Sequence, residues 1–144
     1  ARGFEWVDSG GAAPSEPLQK LQAVPAACVQ GRAGIFPCRG IDFAAQVPPR
    51  DFAGQPASAS NLWGFVDLND NREYVVIGLR NGTAVVDVTN PEAPRQVATL
   101  PGNASPWREV RILQVRDAAA NRWRAYAYVS TEAASSGLQV IDLS

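Results

Sequence analysis

Two nearly continuous apolar runs dominate the pattern of hydrophobic and polar positions in this chain. Tyr74–Leu79 and Thr83–Val88 flank the tripeptide Arg80-Asn81-Gly82. Because β-branched runs without polar alternation are typical of strands covered on both faces, they predict a hairpin inside a stack of sheets. The Asn-Gly pair between them predicts a type I′ turn, which needs positive φ at both central residues.

The same order of elements recurs further along the chain. Val85–Val88 matches Val140–Leu143 at a distance of 55 positions, and Leu62–Val66 matches Pro106–Val110 at a distance of 44. The unequal distances indicate longer connections in the second copy, including a longer hairpin loop at Thr131–Ser136. A repeat of about 40–50 residues with four short strands per unit is typical of a β-propeller blade.

The predicted fold is all-β, with about two four-stranded antiparallel β-propeller blades in an incomplete ring. We expect the first blade at residues 61–102 and the second, without its fourth strand, at residues 103–144. Residues 41–60 hold a strand, Ile41–Val47, and a linker. Because this strand matches the outer strand Arg95–Leu100, we expect it to pair with missing blades of the same protein or with another chain. Since propellers have about four blades or more, two blades predict the front part of a longer protein or half of an assembly.

Residues 1–40 are predicted to form an N-terminal extension with a short helix and a cysteine loop. Ser15 is the expected N-cap of a two-turn helix that Pro25 limits. Cys28 and Cys38 are the only cysteines, at a spacing that suits neither a metal site nor a redox motif. They form either a local disulfide, the interpretation we favour, or two free thiols. A disulfide would indicate an oxidising compartment, namely extracellular, cell-surface or periplasmic.

Composition narrows the function classes. The 144 residues carry a net charge of −1 and no histidine, which excludes histidine-based catalysis within them. No apolar run approaches the roughly 20 residues of a membrane-spanning helix, so direct membrane insertion is not expected. Acidic neighbours and the near-neutral charge favour a solvated blade rim over nucleic-acid binding for five arginines of the second copy: Arg108, Arg111, Arg116, Arg122 and Arg124.

One polar segment is a candidate cation site. Asp67, Asn69, Asn71 and Glu73 present oxygen atoms at alternate positions, as calcium ligands do. The glycine that gives a calcium loop its sharp turn is missing, and a polar hairpin turn explains the same residues. We therefore favour the turn and expect no cofactor, with calcium as the alternative.

Two further pairs of residues occupy matching places in the two copies. Asp87 and Asp142 end equivalent strands, where an aspartate commonly caps the following turn; an acidic ring around a propeller channel is the alternative. Trp63 and Trp107 are predicted to pack between blades, and the alternative is an aromatic platform for a ligand.

With the repeat laid out, five segments carry a family resemblance. They are Cys28–Cys38, Asn61–Phe65, Arg72–Pro91, Trp107–Val110 and Gly137–Leu143. Together they resemble the secreted bacterial LVIVD-repeat proteins of the choice-of-anchor B family. The resemblance implies an extracellular β-propeller, usually held at the cell surface by a C-terminal anchor. It implies no particular activity, because the family has no agreed one.

The resemblance also draws attention to Ser136. The second repeat of the family often has a histidine at this place, before the apolar strand, so any role of such a histidine is missing here. The chain shows no nucleophile with a base, no paired carboxylates and no phosphate-binding loop. We therefore expect the N-terminal part of a secreted or cell-surface propeller that acts as a non-catalytic binding or structural module. The alternatives are a propeller-scaffold hydrolase or lyase with catalytic residues outside this chain, and a processed subunit of a larger extracellular or envelope assembly.

Overall fold

The computed structural model describes residues 24–134 and 136–144. The helix predicted to begin at Ser15 lies outside the described residues. Short β-strands and one 3₁₀ turn, Pro49–Asp51, make up the regular structure of the described part. The strands are β1 (Arg32–Ala33), β2 (Phe36–Pro37), β3 (Ala59–Val66), β4 (Glu73–Leu79), β5 (Gly82–Asp87), β6 (Arg95–Pro101), β7 (Arg108–Asp117), β8 (Arg122–Thr131) and β9 (Gln139–Asp142).

These strands form three antiparallel sheets. The first sheet has the order β3-β4-β5-β6, the second sheet has the order β7-β8-β9, and β1 and β2 form a small ribbon. Each strand pairs with the next one in the chain, so both large sheets are simple meanders. The all-β class and the antiparallel sheets are confirmed, and the described residues do not form a closed propeller ring.

The hairpin between β4 and β5 differs from the predicted type. The register pairs Leu79 with Gly82, so Arg80 and Asn81 are the two central residues of the turn. None of Arg80, Asn81 and Gly82 has a positive φ, so the prediction of a type I′ turn is wrong. The residues that determine the turn geometry lie elsewhere in the chain.

Neighbouring loops hold this turn by backbone hydrogen bonds. The Arg80 N–H donates to the Ser58 carbonyl at 2.9 Å, and the Arg80 carbonyl accepts from the Ser105 N–H at 2.8 Å. The Asn81 carbonyl accepts from the Gly102 N–H at 2.9 Å. Because these partners satisfy the turn from outside, local Asn-Gly preference does not decide its geometry.

The two large sheets pack face to face around one apolar core. Every strand of the second sheet and the two central strands of the first contribute buried residues to it: Val76, Val85, Val110, Ala127, Val129 and Ile141. A second cluster lies on the other side of the first sheet, where Phe52 packs against Leu79, Ala84 and Val86. Strand β5 is buried along its whole length because it has apolar neighbours on both faces.

The side of the first sheet that contacts the second sheet is called its leading face, and the opposite side its trailing face. Successive residues of a strand point to opposite sides, so Val85 lies on the leading face and Val86 on the trailing face. The matching residues of the second sheet are Val140 on its leading face and Ile141 on its trailing face. The leading face of the first sheet thus packs on the trailing face of the second.

The register extends this equivalence from strand to strand and corrects one prediction. Val76 pairs with Trp63 in the first sheet, and its counterpart Tyr128 pairs with Arg111 in the second. The counterpart of Trp63 is therefore Arg111, at a distance of 48 positions, and the predicted equivalence of Trp63 and Trp107 is wrong. The cause is the different length of the strands, since β7 has 10 residues and β3 has 8.

Ile41–Val47 belongs to neither large sheet. Phe43 forms one antiparallel bridge with Ala26, with two N–H···O distances of 2.9 Å. The Phe43 ring also stacks on Phe36 of the β1–β2 ribbon, with ring centroids 4.7 Å apart. This segment is thus tied to the cysteine loop, and its pairing with a strand outside the two sheets stays a prediction.

Candidate functional site

The cysteine loop contains the disulfide that the sequence favoured. Cys28 and Cys38 are bonded, with their Cα atoms 5.8 Å apart, so the alternative of two free thiols is wrong. The enclosed ribbon turns at Gly31 and Gly34, whose φ angles of 83° and 61° favour glycine. A structural disulfide of this kind indicates an oxidising, non-cytoplasmic environment.

The candidate calcium segment is the loop between β3 and β4. Asp67 Oδ1 accepts hydrogen bonds from the backbone N–H and the side-chain amide of Asn69, both at 2.7 Å. Asn71 has a φ of 60°, and its N–H donates to the Asp67 carbonyl at 2.8 Å. The Glu73 N–H donates to Thr89 Oγ1 at 3.0 Å. These contacts stabilise a turn, and calcium binding at the remaining oxygen atoms stays a prediction.

Asn69 also connects the two large sheets. Its side-chain nitrogen donates to the Trp123 carbonyl at 3.1 Å, and its Oδ1 accepts from the Trp123 N–H at 2.8 Å. Beside it, Gln114 accepts from the Leu68 N–H at 3.3 Å and donates to the Val66 carbonyl at 2.9 Å. Sequence reasoning missed Gln114, because the residue contacts only backbone atoms 46 and 48 positions away.

The Asn69 contact uses both ends of the amide, so its oxygen atom is already engaged by a backbone donor. Across residues 24–134 and 136–144, no three side chains of His, Cys, Asp or Glu are arranged to hold a metal ion together. A calcium ion at this loop would therefore depend on Asp67 and on backbone or amide oxygen atoms.

Asp87 lies at the end of β5 and is almost fully buried, with 5% of its side chain exposed. Its Oδ1 accepts from the Thr89 N–H at 3.0 Å, and its Oδ2 contacts the guanidinium groups of Arg72 and Arg95. Hydrogen bonds from the Thr89 side chain and backbone, together with the two arginines, lower the pKa of Asp87 to about 2. The carboxylate therefore stays ionised through the physiological range.

Asp142 makes the same local contact at the end of β9. Its Oδ1 accepts from the Ser144 N–H at 2.9 Å, and Arg124 approaches its Oδ2 to 3.9 Å. Hydrogen bonds from Ser144, with the nearby Arg124, hold the pKa of Asp142 below its usual value. Unlike Asp87, this side chain is 52% exposed. Each aspartate thus accepts a hydrogen bond from the residue two positions on.

The two tryptophans lie in different surroundings. The Arg111 guanidinium stands over the Trp63 ring at 4.8 Å from the ring centroid, a cation–π contact that links β3 to β7. Trp107 is 62% exposed, and its backbone is held by the hydroxyl of Ser105. The described contacts do not bring Trp63 and Trp107 together, and a ligand on either ring stays a prediction.

Arg108 is not on a solvated rim, as predicted for it, but is buried with 4% exposure. Its Nε donates to the Leu79 carbonyl at 2.7 Å, and an Nη donates to the Asn103 carbonyl. Burial lowers the pKa of the Arg108 guanidinium. Gly78 makes the room, since a Cβ there would lie 2.6 Å from the Arg108 Cβ. The prediction failed for this residue because it rested on sequence neighbours rather than on the glycine that faces it.

A groove of about 350 Å³ lies between the first sheet and β9. Its walls are mainly apolar and come from the leading face of the first sheet and from the end of the second: Phe65, Tyr74, Val85, Leu100, Ile141 and Leu143. Asp67 and Asp142 stand among these residues. A groove of this composition suits an apolar side chain or a further strand better than a polar metabolite.

No helix in the described part of the chain has the length and apolar character needed to cross a membrane. Comparison of the chain with family models, with curated proteins and with solved structures gives no match in any of the three. The functional interpretation therefore rests on the residues and the contacts described above.

Proposed function

We propose that this chain is the N-terminal part of a secreted or cell-surface β-propeller of the LVIVD-repeat type. Within that protein it serves as a non-catalytic binding or structural module. The carrying observation is the stacking of two meander sheets whose strands correspond residue by residue and whose unlike faces meet. Repeated sheets stacked in one sense are the building principle of a propeller.

The use of the polar side chains supports a structural role. Asp87 and Asp142 accept hydrogen bonds from turn N–H groups, and Asn69 and Arg108 bond to backbone atoms across the sheet boundary. Groups engaged in this way stabilise the contact between sheets and are not free for acid–base chemistry. The disulfide between Cys28 and Cys38 supports export to an oxidising compartment.

An antibody raised against this chain provides the test in the source cells. We expect external protease to remove the antigen from intact cells, or the antigen to be found in the medium, with both cysteines oxidised. The native protein captured by the antibody should turn over none of a panel of ester, peptide and glycoside substrates. Antigen retained in the cytoplasm with free thiols contradicts the proposed location, and turnover contradicts the non-catalytic role.

A further inference from the structure

The leading face of the second sheet repeats a packing surface that is buried in the first sheet. Val85 is 6% exposed between the sheets, whereas its counterpart Val140 is 54% exposed. Leu113, the counterpart of the core residue Phe65, is 48% exposed. With Tyr126 and Tyr128 between them, these residues form a continuous surface, because Leu113 pairs with Tyr126 and Tyr128 pairs with Val140.

The trailing face of the first sheet is the complementary half of that contact. Leu62 pairs with Ile77, as Val110 pairs with Val129 in the second sheet, so Leu62 is the counterpart of Val110. Val110 is completely buried against the first sheet, but Leu62 is 53% exposed and Val66 is 42% exposed. Phe52 covers only the part of this face formed by β4 and β5.

One molecule therefore carries both halves of a contact that it already makes internally. The centre of each open half is apolar, and the charged pair beside Val140, Arg124 and Asp142, is partly self-compensated at 3.9 Å. Exposed apolar surfaces of this kind mark sites of protein association. Since unlike faces meet inside the molecule, unlike faces are expected to meet between molecules.

We propose that the leading face of the second sheet binds the trailing face of the first sheet in a second copy of this chain. The copies associate head to tail and continue the internal stacking of sheets. Because such a contact joins two different surfaces, it leaves one free face at each end and generates a ring or an open series of copies. This inference rests on the proposed propeller fold and names the partner of its open face.

Sedimentation velocity of the full chain over a range of concentrations tests the proposal. We expect the weight-average mass to rise above the monomer value of 15.4 kDa as concentration increases. Val140→Asp and Leu62→Asp should each weaken the association at least about tenfold, because each places a charge in one apolar half. Val24→Asp is the matched control, since Val24 is 72% exposed but lies outside both sheets.

Mixing the two variants distinguishes head-to-tail association from a symmetric contact. Val140→Asp keeps an intact trailing face and Leu62→Asp keeps an intact leading face, so the mixture should form a heterodimer that neither variant forms alone. Undiminished self-association of Leu62→Asp would mean that two leading faces meet, and it would overturn the proposal. An unchanged mixture of monomers would overturn it as well.

Leu113→Lys serves as a second leading-face variant, so that misfolding of Val140→Asp cannot decide the result. Far-ultraviolet circular dichroism and an intact Cys28–Cys38 bond verify the fold of each variant. A wild-type chain that stays monomeric at every concentration overturns the second copy as partner and leaves a different sheet, from a longer polypeptide, as the occupant of the face. The cell-surface assay does not depend on self-association, so failure of one proposal is distinguishable from failure of the other.

Discussion

The two large sheets are the same unit in two environments. Val85-Val86-Asp87 and Val140-Ile141-Asp142 have nearly the same sequence and occupy the same place in their meanders. The first segment is buried throughout, whereas Val140 and Asp142 are exposed. The difference arises from what lies beside each sheet: β6 and the second sheet enclose the first segment, while β9 has β8 as its only strand neighbour in the described part of the chain.

The same contrast extends to the charged groups. Arg72 and Asp87 form an ion pair in which the carboxylate is buried, and the counterpart pair, Arg124 and Asp142, is looser and more exposed. Arg124 makes a shorter contact of 2.7 Å with Asp117. Equivalent residues therefore do not contribute equal stability, and paired substitutions at equivalent positions can measure the effect of the environment alone.

The largest expected difference between the sheets concerns Val85→Asp and Val140→Asp. At Val85 the substitution buries an unpaired carboxylate between the sheets and should cost more than about 4 kcal/mol, enough to unfold most of the protein. At Val140 the carboxylate points to solvent, and the change should stay within about 0.5 kcal/mol. Urea denaturation followed by circular dichroism, at a concentration where both variants are monomeric, measures both values. Equal destabilisation would show that the second leading face is covered in solution.

A smaller difference is expected for Gly82→Ala and Gly137→Ala, which lie 55 positions apart. A Cβ at Gly82 would lie 2.2 Å from the Leu100 carbonyl oxygen of β6, so the strands must separate, at a cost of roughly 2–3 kcal/mol. A Cβ at Gly137 meets no atom within 4 Å, so the change should be within about 0.5 kcal/mol. Thermal or urea unfolding compares the two variants. A large cost at Gly137 would mean that another strand lies beside β9.

The acid limb of the stability curve separates Asp87 from Asp142. A carboxylate whose pKa is lowered on folding stabilises the protein above the pKa of the unfolded chain, and this contribution is lost as the pH falls. For Asp87 the loss should run from about pH 4, the unfolded value, down to about pH 2. Asp87→Asn should flatten the curve in this window more than Asp142→Asn does, because Asp87 has two arginine partners. Urea midpoints between pH 2 and pH 6 provide the measurement. An equal effect of the two substitutions would contradict the contrast between the buried and the exposed pair.

The smallest expected effect concerns calcium at the loop between β3 and β4. A chelator should shift the unfolding midpoint by less than about 2 °C, which for a chain of this size corresponds to less than about 1 kcal/mol. The reason is that the Asn69 oxygen already accepts from the Trp123 N–H. Asp67→Asn is the matched variant, and its response to calcium should equal that of the wild type. A large midpoint loss that calcium restores in the wild type alone would establish a calcium site.

Much of the strand structure was predictable from local sequence. The apolar runs Tyr74–Leu79 and Thr83–Val88 correspond to strands Glu73–Leu79 and Gly82–Asp87, with boundaries that differ by one residue. Period, length and β-branched content determine such strands locally. The cysteine pair was similarly readable, because the short spacing leaves few other uses for two cysteines.

The candidate site was less predictable, since its contacts join residues far apart in the chain. Matching Trp63 with Trp107 used side-chain identity, but the register makes Arg111 the counterpart of Trp63. Arg108 looked like one of several surface arginines and is buried against Gly78. In both cases strand length and the opposite residue decide the position, and neither is visible in a local window.

By itself, the sequence determined the strand-forming segments, their meander order and the repetition of one unit, because these depend on side chains close together in the chain. Only the tertiary structure decided the β4–β5 turn, the offset between the sheets and the burial of Asp87 compared with Asp142. These features depend on hydrogen bonds to distant loops and on which faces meet. Identical local patterns acquire different burial because the free energy of burying a face comes from the neighbouring sheet.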